Sequence, residues 1–128
     1  MSKFLTELDV KLVSDATNSG RGTWQLLSPL EYQSDVAGRT FIVPVGFQTD
    51  FASVPRVALA FALCGDSAHA ASVIHDAIYT FHWVPRDVAD AVLREAALVS
   101  GVPKWRAALL WAGVRVGGGG SHWNSAAA

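Results

Sequence analysis

Apolar and polar positions divide the chain into two halves with different periods. In the first half, apolar residues come in short alternating or continuous runs broken by turn residues, the signature of strands. Phe4 to Val13 alternates imperfectly and predicts an opening strand. Thr17-Asn18-Ser19-Gly20 is a turn cluster. Gly22 to Leu27, with Trp24, Leu26 and Leu27, predicts a strand stopped by Ser28-Pro29, and Leu30 to Ser34 is read as its continuation. Ala37-Gly38 predicts a turn, and Arg39 to Phe47 is the clearest strand. Within it Pro44 has no N–H to give to a ladder, which demotes the strand to an edge or a bulge.

The second half follows the helical period. Asp66-Ser67 can cap a helix running to about His82, with Ala71, Ile74, Ile78 and Phe81 as its buried stripe. Pro85 suits the first turn of a second helix, and Asp87 complements its positive end. Val88, Val92, Ala96 and Val99 form its apolar face, and Gly101 and Pro103 end it. A third helix runs from Pro103 to about Val114, with Trp105, Leu109 and Ala112 expected inward. Trp83-Val84-Pro85 is a short connection, so the first two helices should form an antiparallel hairpin. The expected fold is α+β: a small antiparallel sheet from the N-terminal half packed on three C-terminal helices. Residues 1–116 form a single domain, and 117–128 form a glycine-rich tail expected to be mobile in isolation.

Composition narrows the classes. Of 128 residues, 51% are apolar and 16% charged, enough to bury one core and too few for two domains. The net charge of -1 argues against a dedicated nucleic-acid binder, and the five Trp residues show no basic-aromatic interleaving. A single cysteine, Cys64, excludes an internal disulfide framework and a Cys-rich zinc site. The apolar run Val57 to Cys64 is too short to cross a bilayer. Met1 to Val10 carries Glu7 and Asp9 and has no signal-peptide core, so a chain made in a cytoplasm is expected. Charge is uneven: residues 1–95 sum to -4, whereas 96–128 hold Lys104, Arg106 and Arg115 and no acid. That segment is either a basic edge facing an anionic partner or, the reading three charges favour, a solvated helix end.

Two segments carry candidate chemistry. Phe47 to Arg56 follows the strongest strand, a common place for site loops, and offers Asp50, Ser53 and Arg56 within ten residues. Asp50 could bind a metal or orient a base. The competing reading is a structural turn, which spacing alone favours. Arg56 presents a rigid fork suited to Asp50, Asp76 or Asp90. No Gly-x-Ser-x-Gly elbow surrounds Ser53, which argues against a serine hydrolase.

The second segment is His75-Asp76-Ala77-Ile78-Tyr79 with Arg86-Asp87-Val88-Ala89-Asp90 after the turn. His75 and Tyr79 share a helix face, and in the hairpin His75 and Asp90 stand level. Asp90 can then hold one ring nitrogen and leave the other as a general base, while Asp76 points elsewhere. The alternative is a buried His-Asp-Tyr network that fixes helix packing. His69, His82 and His122 have no spacing that demands zinc.

Several blocks resemble an uncharacterised family of small phage and prophage proteins, a domain of unknown function. They are Phe41-Ile42-Val43-Pro44-Val45-Gly46-Phe47, Thr49-Asp50-Phe51-Ala52-Ser53-Val54-Pro55-Arg56, His75-Asp76-x-x-Tyr79, Arg86-x-x-Ala89-Asp90, Gly101-Val102-Pro103-x-Trp105, and Val114-Arg115 with the glycines and Trp123. The resemblance implies a phage context, with the chain in a virion or the host cytoplasm and virion proteins or its own copies as partners. His-Asp-x-x-Tyr is also similar to the catalytic helix of phospholipase A2 enzymes. That likeness implies His75 as the base that activates water, Tyr79 and Asp90 as its supports, and Asp76 as a calcium ligand. The helix-bridging disulfides and glycine-rich calcium loop of those enzymes are missing, and Gly46 to Asp50 is the segment that would take the loop's place. Calcium and zinc are the candidate cofactors. The expected function is an accessory phage protein, virion- or lysis-associated, with a hydrolase-like site, metal-dependent if the phospholipase likeness holds. The alternative is a structural tail or connector component.

Overall fold

The computed structural model describes residues 1–14, 23–49 and 69–117. The turn cluster at 17–20, Asp50, Ser53, Arg56, Cys64, the cap pair Asp66-Ser67 and the tail from 118 lie outside the described residues. Six short strands precede three helices: β1 (Lys3–Phe4), β2 (Val10–Ser14), β3 (Thr23–Leu26), β4 (Leu30–Ser34), β5 (Arg39–Val43), β6 (Gln48–Thr49), α1 (His69–Phe81), α2 (Arg86–Val99) and α3 (Lys104–Gly117). The class is α+β with the helices C-terminal.

The strands form two antiparallel sheets of three, β1-β4-β5 and β2-β3-β6. Prolines mark both passages between them. Ser28-Pro29 ends the run of β3, so Leu30 to Ser34 does not extend it but pairs with β5 in the other sheet. Pro44 stops β5, itself a sheet edge, and the chain turns back through Gly46 at φ +88°. Only glycine adopts that backbone without strain. The amide of Gly46 then donates to Leu26 O, and Leu26 N donates to Phe47 O, which starts the second sheet. The opening run is split as well, into β1 and β2, one in each sheet.

Alternation decides which side faces the core. Along β4, Leu30, Tyr32 and Ser34 are buried; opposite them on β5, Val43 and Phe41 are buried while Ile42 is exposed. A one-residue slip would turn this set outward, so the register is strongly specified. Helix α1 packs on strands of both sheets and against α2, and every residue from Ala71 to Tyr79 is buried. A helix enclosed on all sides takes its polar residues inside with it. Ser72, His75 and Asp76 are therefore buried and need hydrogen-bond partners.

The turn His82–Pro85 reverses the chain. His82 closes α1 in the left-handed region at φ +54°, donating its N–H to Ile78 O. Pro85 stands at the N-cap of α2, one position earlier than its spacing predicts, and Asp87 lies in the first turn. The end of α2 is a Schellman motif: Val102 N donates to Ala97 O and Gly101 N to Leu98 O, with Gly101 at φ +96°. Val99, predicted inward, is exposed at this last turn, while Ala89, Leu93 and Ala97 join Val92 and Ala96 in the core.

Helix α3 turns a different face inward than its sequence predicts. Ala107, Leu110 and Val114 are buried, whereas Trp105 and Leu109 are exposed and Ala112 is half-buried. Both sets recur at helical spacing, so periodicity cannot choose between them. Polar tethers at its C-terminal end fix the rotation, as the site geometry makes plain.

Candidate functional site

The carboxylate of Asp90 is the hub. It projects from α2 into the helix layer and is fully buried. Its Oδ1 lies 2.7 Å from His75 Nε2 and accepts the Tyr79 hydroxyl, also at 2.7 Å. Its Oδ2 accepts Arg115 Nη1 from α3 at 2.9 Å, with Arg86 Nε 3.8 Å away. The pairing expected across the hairpin is thus formed, with His75 facing Asp90, and Tyr79 on the next turn meets both Asp90 and Arg86. The His75 and Tyr79 rings lie 4.3 Å apart between centroids, as their shared helix face requires.

These contacts determine protonation. Burial by itself would raise the Asp90 carboxyl, but bonds from His75, Tyr79 and Arg115 outweigh it and hold the group below the usual carboxylate range. The same surroundings push the Tyr79 phenol upward, first through burial and then through its bond to Asp90, so it stays a donor. An ionised carboxylate only accepts. Nε2 of His75 is therefore the nitrogen that carries hydrogen toward Asp90, and in the neutral imidazole the lone pair sits on Nδ1.

Arg86 and Arg115 connect the third helix to the dyad. Arg86 Nη2 donates to Val114 O and Arg115 O, each at 2.9 Å, and so caps carbonyls at the C-terminal end of α3. Arg86 Nε donates to the Tyr79 hydroxyl at 3.2 Å. These bonds and the Arg115–Asp90 pair set how α3 is rotated, which leaves Trp105 and Leu109 outside. Arg115 was readable as a solvated helix end; its role shows only once α3 is placed beside α2. The one sequence signal for it was its position in the Val114-Arg115 block.

Asp76 faces away from this hub. It is nearly buried, and its Oδ2 accepts the hydroxyl of Thr49 at the end of β6, tying α1 to the second sheet. Its backbone carbonyl accepts the Thr80 hydroxyl at 2.9 Å. Among the described residues no group of three or more His, Cys, Asp or Glu side chains could hold a metal ion. Asp76 and Thr49 supply few of the six to eight oxygens that calcium takes. The described residues do not fit that ion. Asp50 and the rest of the motif loop, with Ser53 and Arg56, lie outside the described residues. Sequence reasoning gave Thr49 no role, although it stands directly before Asp50.

A carboxylate that orients an imidazole through one nitrogen and stabilises its charged form is a pairing that general-base chemistry uses. No helix among the described residues is long and apolar enough to cross a membrane. No curated protein and no solved structure matches the chain. A family model described as a protein of unknown function, DUF1353, matches residues 24–114, which hold Thr49 and every residue of the hub except Arg115, and the chain belongs to that family.

Proposed function

We propose that the protein is a phage or prophage accessory protein, virion- or lysis-associated, whose His75–Asp90 pair is the general base of a hydrolase-like site. The observation that carries the chemistry is the orientation of the ring. Nε2 stands 2.7 Å from Asp90 Oδ1, and Tyr79 holds the same oxygen. In this reading the imidazole, positioned by Asp90, removes a proton from water, and the resulting hydroxide attacks an ester or amide carbonyl. Asp90 stabilises the imidazolium, which then gives the proton to the leaving group. Bonds from His75, Tyr79 and Arg115 hold Asp90 ionised. The phage context rests on the motif blocks alone, and so do virion proteins or further copies of the chain as partners.

A second reading is favoured by the burial. His75 and Asp90 have no exposed side-chain surface, and every oxygen of Asp90 is engaged. In that case the network only locks three helices together in a structural component. His75→Gln separates the two. Glutamine can keep a donor near the Nε2 position but is no base. A catalytic His75 loses activity by ~100-fold or more on this change with the fold intact. A structural His75 shows no hydrolysis in the wild type, with or without calcium, and the variant alters only stability. Thermal unfolding and hydrolysis of ester and amide substrates, measured on the same preparations, decide between them.

A further inference from the structure

Strand β2 is an edge of the second sheet, and the bonds around it fix which of its backbone groups point outward. Leu27 N donates to Asp9 O, and Lys11 stands opposite Gln25, so Asp9 and Lys11 turn their backbone groups toward β3. In an antiparallel ladder these directions alternate. Leu8, Val10 and Leu12 therefore turn their N–H and C=O groups away from β3. Leu26 gives the same phase. It stands opposite Val10, and on the side away from β2 its N–H donates to Phe47 O while its C=O accepts Gly46 N. Among the described residues no strand pairs with the outer side of β2. Side chains alternate as well. Leu8 and Val10 pack on the core, and Leu12 continues that face at 46% exposed. Asp9 and Lys11 are exposed on the other face.

The residues of this edge select its occupant, because the segment complements itself about Val10. Asp9 and Lys11 lie one residue to either side of Val10, and Leu8 and Leu12 lie two. A second copy, antiparallel about a two-fold axis at Val10, sets Val10 against Val10, Leu8 against Leu12 and Asp9 against Lys11. Opposite residues share a face, so the apolar pairs meet on the core side and the charge pairs on the outer side. The hydrogen-bonded pairs of that register are made by Leu8, Val10 and Leu12, whose backbone groups are the ones that point outward. A two-fold contact is isologous, so each Asp9–Lys11 pair forms twice. A lysine on an edge strand ordinarily guards against pairing. Here the carboxylate of the other copy answers it. An axis at Asp9 or Lys11 would set like charges opposite each other and use backbone groups that β3 already engages. An axis at Leu12 would run into the bulge between Leu12 and Ser14. We infer that β2 is a homodimerisation edge, through which two copies of the chain join their second sheets into one continuous sheet. The inference rests neither on catalysis at His75 nor on a phage context.

Sedimentation equilibrium of the full chain over a range of concentrations tests it. The wild type should form a dimer, and the Val10 and Leu12 amides should exchange more slowly in the dimer than in the dilute monomer. Asp9→Lys and Lys11→Asp each set like charges opposite each other across the axis, and each should weaken the dimer by at least about tenfold. Mixed in equal amounts, the two variants should form a heterodimer, since each supplies the charge that the other lacks. Within the chain Lys11 stands opposite Gln25, so no ion pair across β3 is lost and the unfolding of the dilute protein should be unchanged. Leu12→Glu supplies the same test if a charge variant lowers stability. A chain that is monomeric at every concentration would overturn the inference. So would a dimer that both charge variants retain, or one that leaves the Val10 and Leu12 amides unprotected, since either places the contact elsewhere on the molecule.

Discussion

Arg115 and Asp90 form an ion pair at 2.9 Å between the last turn of α3 and the first half of α2, and this pair closes the polar hub from the side opposite His75. The carboxylate is fully buried while the guanidinium remains a third exposed. Its loss should therefore cost more than a surface ion pair and less than a wholly buried one. Arg115→Met is expected to destabilise the protein by about 1–2 kcal/mol. Arg115→Lys should recover part of this, because a single donor and the charge are retained. Urea unfolding of the three proteins checks the order.

Arg86 is expected to matter through α3 and not through charge alone. Its Nη2 holds the carbonyls of Val114 and Arg115, and its Nε holds the Tyr79 hydroxyl. Arg86→Met should let the last turn of α3 fray, at a cost of about 1–2 kcal/mol. Amide exchange should rise in residues 113–117 and stay unchanged near the α2–α3 turn. Uniform acceleration along all of α3 would instead show that the whole helix depends on this anchor.

The pH dependence of stability should have two limbs. The Asp90 carboxyl is depressed in the fold, so its contribution is present above the unfolded value of 3.8 and is lost as pH falls through the folded value. The Tyr32 and Tyr79 phenols are raised from 10.0 by burial and by their carboxylate partners, so their contribution is present below pH 10 and is lost as pH rises beyond it. Thermal stability should therefore fall below about pH 4 and above about pH 10. Asp90→Asn should flatten the acid limb relative to the wild type, and Tyr32→Phe or Tyr79→Phe the alkaline one. An acid limb identical in wild type and Asp90→Asn would contradict the hub as described.

A second acid, the half-buried Glu95, joins α2 to the first sheet. Its Oε1 accepts Tyr32 OH at 2.8 Å and Ser34 Oγ at 2.7 Å, and its Oε2 accepts Val36 N at 2.9 Å. Glu95→Ala leaves three donors without their acceptor, two of them on buried residues, and should cost about 2–3 kcal/mol. Glu95→Gln keeps one carbonyl acceptor and should cost less. Neither should alter the His75–Asp90 contact, which the imidazole resonances of a nuclear magnetic resonance spectrum would report.

The hairpin pairing was legible because it depends on one short turn and on helical rise, both local quantities. Trp83-Val84-Pro85 sets the reversal, and Asp90 falls level with His75 as a consequence. The face of α3 was not legible, because Ala107-Leu110-Val114 and Trp105-Leu109-Ala112 are equally periodic. The choice is made by Arg86 and Arg115, whose partners are 25 to 29 residues away for the contacts to Asp90, Val114 and Arg115. The division into two sheets was also hidden. Ser28-Pro29 and Pro44 announce that a strand stops, but not that the chain then crosses to another sheet. Glu95 gave no signal, since a lone glutamate on a helix usually points to water.

In the proposed function His75 is a base and not only a structural pillar. The most direct measurement is the hydrolysis rate of wild type and His75→Gln on ester and amide substrates at neutral pH, each divided by its folded fraction. A wild-type rate above background and a fall of ~100-fold or more in the variant are expected. Equal rates for the two folded proteins, or a wild type no faster than buffer with and without calcium, would contradict a base at His75.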